Sequence, residues 1–266
     1  MSIFAGVGNL VDDWLKLRPV GQPPYYQHRS AAFELSRREE PITNTLEFLQ
    51  ASYAQIDNNW RVAKVSYSKP PSRENWRWKR HLKLAAANKS PELLLERAVV
   101  NACGDNWSNQ MPTASGLVSA TADKRAAVDL VHRDGSATYS LIELKVASDN
   151  PLFAAIEILM HGILYVWSRN HQVELGYDVH LQPVLAGNSV TLGVLAPAPY
   201  YSGYDLTNFG EAINRALEDF NQRMDLALVL ELSQLDAAYE AGSTPESTRL
   251  AVDGRRAVWV APSVGI

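Results

Sequence analysis

Between residues 126 and 146 the apolar side chains leave the three-and-four spacing of helices and adopt a period of two, in two runs, 126–132 and 138–146, separated by Asp134-Gly135-Ser136. That pattern predicts a β-hairpin. Side chains alternate along a strand, so Ile142, Leu144 and Val146 take one face and Glu143 and Lys145 the other, while Asp129 sits inside the first run between Val128 and Leu130. A carboxylate in so apolar a strand stays ionised only if a cation or several donors replace its lost hydration. Parity adds a condition: Asp129 shares a face with Glu143 only if directly paired residues have numbers that sum to an even value. A three-residue loop Asp134-Gly135-Ser136, with Gly135 or Ser136 left-handed, meets that condition, as does a bulge; a two-residue Asp134-Gly135 loop does not.

The flanking sequence is mostly helical. Amphipathic stretches at 10–17, 29–38 and 43–56 open the chain; 60–68 admits a strand, stopped by Pro70-Pro71, and a helix is expected to resume at Trp76. Ser90 suits an N-cap, Pro91 the first helical position and Gly104 the position past the end, with Leu93, Leu94, Ala98, Val99 and Ala102 inward. After the hairpin, Asn150 or Asp149 caps a long helix from Pro151 to about Ser168. Strands follow at 177–185 and 190–195, then a helix at 208–224, a strand at 226–232 and an edge strand at 257–261. This order indicates an α/β (α+β) fold, a central mixed sheet flanked by helices, with residues 1–85 a helical N-terminal elaboration on a core of 86–266.

With 46% hydrophobic and 20% charged residues the chain can bury a full core. Its longest apolar stretch, 151–167, is broken by Glu157 and His161 and falls short of the roughly 20 residues of a membrane span. No signal peptide is read in the first residues, and the one cysteine, Cys103, forms no internal disulfide, so a cytoplasmic setting without a membrane partner is expected. Nothing indicates a homo-oligomer. No dinucleotide, P-loop, zinc or nucleophile-elbow motif is present; Asp105, Trp107 and Gln110 are candidates for the mouth of a site on the hairpin, with packing the favoured reading for Trp107.

Charge is unevenly spread. The whole chain carries −4, yet residues 61–90 hold nine cations (Arg61, Lys64, Lys69, Arg73, Arg77, Lys79, Arg80, Lys83 and Lys89) against Glu74 alone, a local +8. Trp60, Tyr67, Trp76 and Trp78 are interleaved with them. Cations with aromatics are what a chain needs to hold phosphates and stack on bases, so Arg73, Trp76, Arg77, Lys79, Arg80 and Lys83 are candidate nucleic-acid contacts; a solvated basic face with an inward tryptophan is the other reading.

Two carboxylates converging beside an ammonium favour a hard cation, Mg²⁺ or Mn²⁺, and a metal-bound water beside a lysine makes a hydrolytic site. The set Asp129, then Glu143-Leu144-Lys145, resembles the PD-(D/E)xK nuclease superfamily, whose signature is an acidic residue in one strand and E-x-K in its hairpin partner. The resemblance covers residues 90–169 and departs at Val128, where the superfamily's name has proline. It implies a restriction-endonuclease-like core, with Mg²⁺ or Mn²⁺ held by Asp129, Glu143 and the Leu144 carbonyl, and with Lys145 orienting the attacking water. It also implies a supporting Glu on the preceding helix, for which Glu96 fits better than Glu92, and a polar pair on the following helix, Glu157 and His161. The implied activity is phosphodiester hydrolysis, foremost in DNA. Rival readings are an inactive nucleic-acid-binding or protein-interaction module on the same fold, and a metal-dependent RNase.

Overall fold

The computed structural model describes residues 1–84, 90–222, 226–236 and 244–259. Lys89, the boundary at residue 85, and the ends of the expected elements at 223–224 and 260–261 lie outside them. Helices α1 (Val7–Leu15), α2 (Arg29–Ser36) and α3 (Thr45–Ser66) come first, followed by α4 (Pro91–Cys103). Strands β1 (Trp107–Pro112), β2 (Ala127–Arg133) and β3 (Thr138–Leu144) then form an antiparallel meander. Helix α5 (Pro151–Asn170) crosses to β4 (Ser189–Ala196), passing the short α6 (Gln172–Leu175), and α7 (Thr207–Gln222) crosses to β5 (Ala227–Gln234). These two crossovers make β3, β4 and β5 parallel; α8 (Pro245–Asp253) and the antiparallel edge β6 (Arg256–Trp259) complete a mixed sheet of six strands in sequential order.

Each face of the sheet has its own core. Leu141 of β3 and Val190, Leu192 and Val194 of β4 pack with α5, and α1 and α3 bury their apolar stripes in the same cluster. The N-terminal helices therefore extend the main core. On the other face Leu130, Ile142, Leu144 and Leu195 meet Leu95, Val99 and Val100 of α4 and Val252 of α8. Helix α5 is long and apolar enough to cross a membrane by length and composition, yet 89% of the residues in its most apolar 18-residue window are buried, between sheet and N-terminal helices. It packs against β4 through Gly162, where a Cβ would come within 2.4 Å of Leu192 Cδ1.

The capping expectations hold: Ser90 accepts from the Leu93 N–H at 3.5 Å, and Asn150 from the Phe153 N–H at 3.0 Å. Four local readings are corrected. Residues 60–66 finish α3 as helix, because Trp60 and Ala63 continue the buried stripe of Phe48, Leu49, Ser52 and Ile56 while Val65 is 90% exposed. No helix begins at Trp76; its backbone is left-handed (φ 59°), its N–H donates to the Pro112 carbonyl at 2.8 Å, and its indole is fully buried against Tyr165. Residues 177–185 are no strand: the Asp178 carboxylate accepts from the His180 N–H, the Gln182 side chain folds back on Asp178, and Pro183, which has no N–H for a ladder, starts a 3₁₀ turn. On α4, Leu95 and not Leu94 faces inward; Leu94 is half exposed.

Candidate active site

The β2–β3 register pairs Leu130 with Ile142 and Arg133 with Tyr139, so paired numbers sum to an even value and Asp129 and Glu143 share a face. The Asp134 N–H donates to the Thr138 carbonyl at 3.0 Å in the same register, so the turn is the three residues Gly135, Ser136 and Ala137, one position beyond the expected Asp134-Gly135-Ser136. Neither Gly135 nor Ser136 has the expected positive φ.

At the carboxyl end of β3 this register gathers a charged cluster. Lys145 is 6% exposed, and its Nζ lies 2.9 Å from Glu143 Oε1, 3.0 Å from Glu157 Oε2 and 3.5 Å from Asp149 Oδ2. The Phe153 ring covers the ammonium, with its centroid 5.4 Å away. Asp129 Oδ2 accepts from the Leu144 N–H at 3.0 Å, and the even-sum register sets Asp129 and Glu143 on one face of the hairpin. Glu157 comes from the first turns of α5 and keeps some solvent contact, so the helix after the hairpin supplies the third carboxylate.

Burial raises the Asp129 carboxyl to about 6, against the pull of the Leu144 N–H and the Lys145 charge. Glu143 is pushed well above the carboxylate range by burial first, then by Asp129 and Glu157. Burial works to lower Lys145, but Glu143 and Glu157 outweigh it and the ammonium is held charged. The three groups form one electrostatic unit: acids crowded beyond comfort and a single cation between them.

Glu96 lies in the layer on the opposite face. It is buried, accepts from Asn109 Nδ2 and Gln110 Nε2 at 2.6 Å each, and pairs with Arg97. It does not touch Asp129 or Glu143. Gln110 connects the two layers, since its Nε2 also lies 3.4 Å from Asp129 Oδ1. Its backbone is left-handed (φ 48°) at the point where β1 skips a pair between Asn109 and Met111, and this kink aims the side chain around the rim. Glu92 receives the Ser148 hydroxyl and the Val146 N–H, pinning the chain beyond Lys145.

His161 does not join the cluster. It is buried one turn beyond Glu157, shares a hydrogen bond with Thr113 (3.2 Å) and meets the edge of Phe4; burial lowers its pKa to about 4, so the ring is neutral. Trp107 is a core residue stacked on His132, and Asp105 pairs with Arg80 away from the rim.

Among the described residues no group of three His, Cys, Asp or Glu side chains is arranged as a metal site. Two buried carboxylates on one face nonetheless have the donor chemistry a hard divalent cation takes, since Mg²⁺ binds through one or two carboxylates and keeps several waters. Asp129 and Glu143 fit that requirement; Glu96 reaches it only through Gln110.

The basic segment runs as a strap along β1. The Asn109 N–H donates to the Lys79 carbonyl, and Asn109 clasps the His81 backbone from both sides. Trp76 is removed from the candidate nucleic-acid contacts, because a buried indole cannot stack on a base. Five of the nine cations are ion-paired: Arg77 and Lys79 with Glu74, Arg80 with Asp105, Arg61 with Asp57 and Lys64 with Glu174. What remains open is a groove of about 600 Å³ lined by Arg77, Trp78, Lys79, Arg80, Arg133 and His180, with Arg133 over the Trp78 ring at 5.3 Å. Arg133 and His180 escaped the sequence reading because they join the groove only through folding. A separate cavity of about 150 Å³, on the α4 face, is lined by Ser140, Thr191, Glu231, Ser233 and Arg255 and does not reach the cluster.

No family model matches the chain, and no curated protein or solved structure matches it. Fold and site define an α/β protein with a six-stranded mixed sheet, carrying a buried lysine–carboxylate cluster at the carboxyl end of its parallel strands.

Proposed function

We propose that this protein is a metal-dependent nuclease of the PD-(D/E)xK type that hydrolyses phosphodiester bonds, foremost in DNA, on a restriction-endonuclease-like core. The observation that carries the reading is the Lys145 ammonium 2.9 Å from Glu143, on the face that Asp129 shares, with Glu157 of the following helix 3.0 Å away. Ion-pair clusters also occur as structure, but crowding two carboxylates until both pKa values rise costs stability, and such costs concentrate at functional sites.

Mg²⁺ or Mn²⁺ would be held by Asp129 and Glu143, with the Leu144 carbonyl as the resemblance implies, and would supply an activated water and charge neutralisation at the phosphate. Lys145, desolvated and fixed by Glu157, orients the attacking water and offsets negative charge growing on the phosphate oxygens. Glu157 and Asp149 keep the ammonium in place. Glu96 acts at one remove: it holds Gln110, which holds Asp129. The basic groove gives sequence-independent contact with the phosphate backbone through Arg77, Lys79 and Arg80, now with Arg133. Lys83 and Arg73 remain candidates at its margins.

The test is incubation with plasmid, linear duplex, single-stranded DNA and RNA, with Mg²⁺, Mn²⁺ or chelator. Metal-dependent cleavage of DNA is expected, and cleavage of RNA alone would transfer the reading to a ribonuclease. One observation favours a binding module instead: Glu143 already has a cation, Lys145, for a partner. Calorimetric titration with Mn²⁺ decides between them, since the nuclease binds the ion and loses it in Asp129→Ala, whereas a module held by ion pairs takes up none.

A further inference from the structure

The first aromatics and cations of the basic segment lie in a groove of their own. It measures about 470 Å³ and opens where the end of α3 and the chain beyond it meet α6, with Trp60, Tyr67, Pro70, Pro71, Leu117 and Val173 as apolar walls and Lys64 and Lys69 among them. Trp60 is the floor: its indole is buried, packed edge-on against Trp167, and the Lys64 ammonium lies 4.3 Å from the ring centroid. Tyr67 is only partly buried, and Val173 at the rim is 93% exposed. An apolar groove left open on a folded surface marks an interaction site.

Residues 72–76 carry the chain from this groove to the one lined by Arg77, Trp78 and Arg133, and they are held firmly. Gln182 Nε2 donates to the Arg73 carbonyl at 2.9 Å, and Asn75 Nδ2 donates to the Ser115 carbonyl and the Tyr177 hydroxyl at 2.9 Å each. Gly116 (φ 76°) approaches so closely that a Cβ there would come within 3.1 Å of the Ser72 nitrogen. Arg73 stands exposed between the two grooves, and among the described residues neither it nor Lys69 forms an ion pair, whereas Lys64 has Glu174 at 3.9 Å. The occupant must therefore be apolar in one part and anionic in another. A duplex turns its phosphates outward and keeps its bases stacked inside, so it has nothing to place in an apolar groove. An unpaired strand offers both parts, bases for the Tyr67 ring and phosphates for the cations spaced beyond it. A purely apolar peptide would fill the groove but leave Lys69 and Arg73 unanswered.

We infer that the two grooves form one track for a single-stranded nucleic acid, with a base stacked on Tyr67 and phosphates held by Lys69 and Arg73 on the way to Trp78 and Arg133. The inference rests on the nuclease reading for the fate of the strand, and deepens it by naming the substrate class: nucleic acid with an unpaired strand. Binding itself needs neither the metal nor the Lys145 cluster, so the two readings can fail separately.

The test is fluorescence anisotropy with labelled oligothymidine and with a duplex of the same length, in chelator so that no cleavage intervenes. Wild type is compared with Tyr67→Ala, with Tyr67→Phe, and with Lys69→Ala and Arg73→Ala combined. Wild type is expected to bind the single strand more tightly than the duplex. Tyr67→Ala should weaken single-strand binding by about tenfold, the scale of one lost stacked base, and leave the duplex unmoved, while Tyr67→Phe keeps the ring and binds as wild type does. The double variant should make the slope of log K against log [salt] for the single strand shallower by about 1.4, near 0.7 for each lost phosphate contact. Equal affinity of wild type for both ligands, Tyr67→Phe as weak as Tyr67→Ala, or an unaltered slope would each overturn the track. No binding of oligothymidine by wild type would overturn it too, and would give the groove to a protein partner. If Tyr67→Ala lowers the melting temperature by several degrees, the exposed pair Lys69 and Arg73 decides in its place. Cleavage is scored separately: Tyr67-dependent binding with no cleavage of any substrate upholds the track and removes the nuclease, and cleavage without Tyr67-dependent binding does the reverse.

Discussion

At one end of the β2–β3 hairpin Lys145 is 6% exposed and sits between three carboxylates; toward the other, in the groove that Arg133 lines, Arg77, Lys79 and Arg80 rest on the surface against Glu74 and Asp105. Both ends are charged and both are ion-paired, yet the energetics differ. Surface pairs gain little, about 0–1 kcal/mol each, since water solvates either partner almost as well. In the buried cluster each group sets the others' protonation, so removing one reorganises the rest. The difference teaches where chemistry is concentrated: the cluster is costly and therefore informative, while the strap is cheap and speaks only through its position.

The largest effect expected from breaking this contrast is at Lys145. Lys145→Met keeps most of the side-chain volume but takes the cation from Glu143, which then becomes the proton carrier of the pair with Asp129. Cleavage should fall by about a thousandfold or more, the scale of a lost proton-handling or charge-stabilising group. The fold should remain, because Glu143 can be neutralised. Single-turnover rates and circular dichroism check both halves, and retained activity would remove the mechanism.

Replacing Arg77, Lys79 and Arg80 together is a smaller change. Duplex binding should lose salt dependence, with the slope of log K against log [salt] shallower by about 2–3, near 0.9 for each lost phosphate contact. Stability should change by about 1 kcal/mol, chiefly because Arg80 also donates to the Val100 carbonyl at 2.6 Å. An unaltered slope would leave the strap as solvated surface.

The same contrast explains what was legible in the sequence. Period two and parity reduce the shared face of Asp129 and Glu143 to one condition, an even register sum, which the β2–β3 pairing meets, and the α4 and α5 caps follow from Ser90, Asn150 and their prolines, so the cluster's framework was readable up to the turn. What was not readable depends on distant partners. Trp76 adopts a left-handed backbone because Pro112, far along the chain, offers a carbonyl; Gln110 does so to fit a kink in β1; neither is a glycine that would announce it. Val179 and Leu181 mimic a strand, but they stay partly exposed while Asp178, Gln182 and Pro183 bind locally.

The subtlest prediction concerns the cost of the cluster. Asp129 has a folded pKa of about 6, raised chiefly by burial, so the native protein binds that proton more tightly than the unfolded chain, whose carboxyl titrates near 3.8. A group whose folded pKa is raised contributes stability that is fully present below its unfolded pKa and is lost as pH rises through the folded one. Wild type should therefore lose stability between about pH 4 and 6, with Glu143, also raised, acting in the same direction. Asp129→Asn cannot ionise and escapes that loss. Its melting temperature should exceed that of wild type by a few degrees at pH 8, with the gap closing toward pH 4. Cleavage moves the opposite way, needing the ionised carboxylate, and should rise in wild type through about pH 6 and be absent in the variant. Added Mn²⁺ at pH 8 should raise wild-type melting and leave the variant unmoved, because binding to the native state alone stabilises it. A melting gap independent of pH would mean that Asp129 is not crowded, and the contrast between the two ends of the hairpin would lose its physical basis.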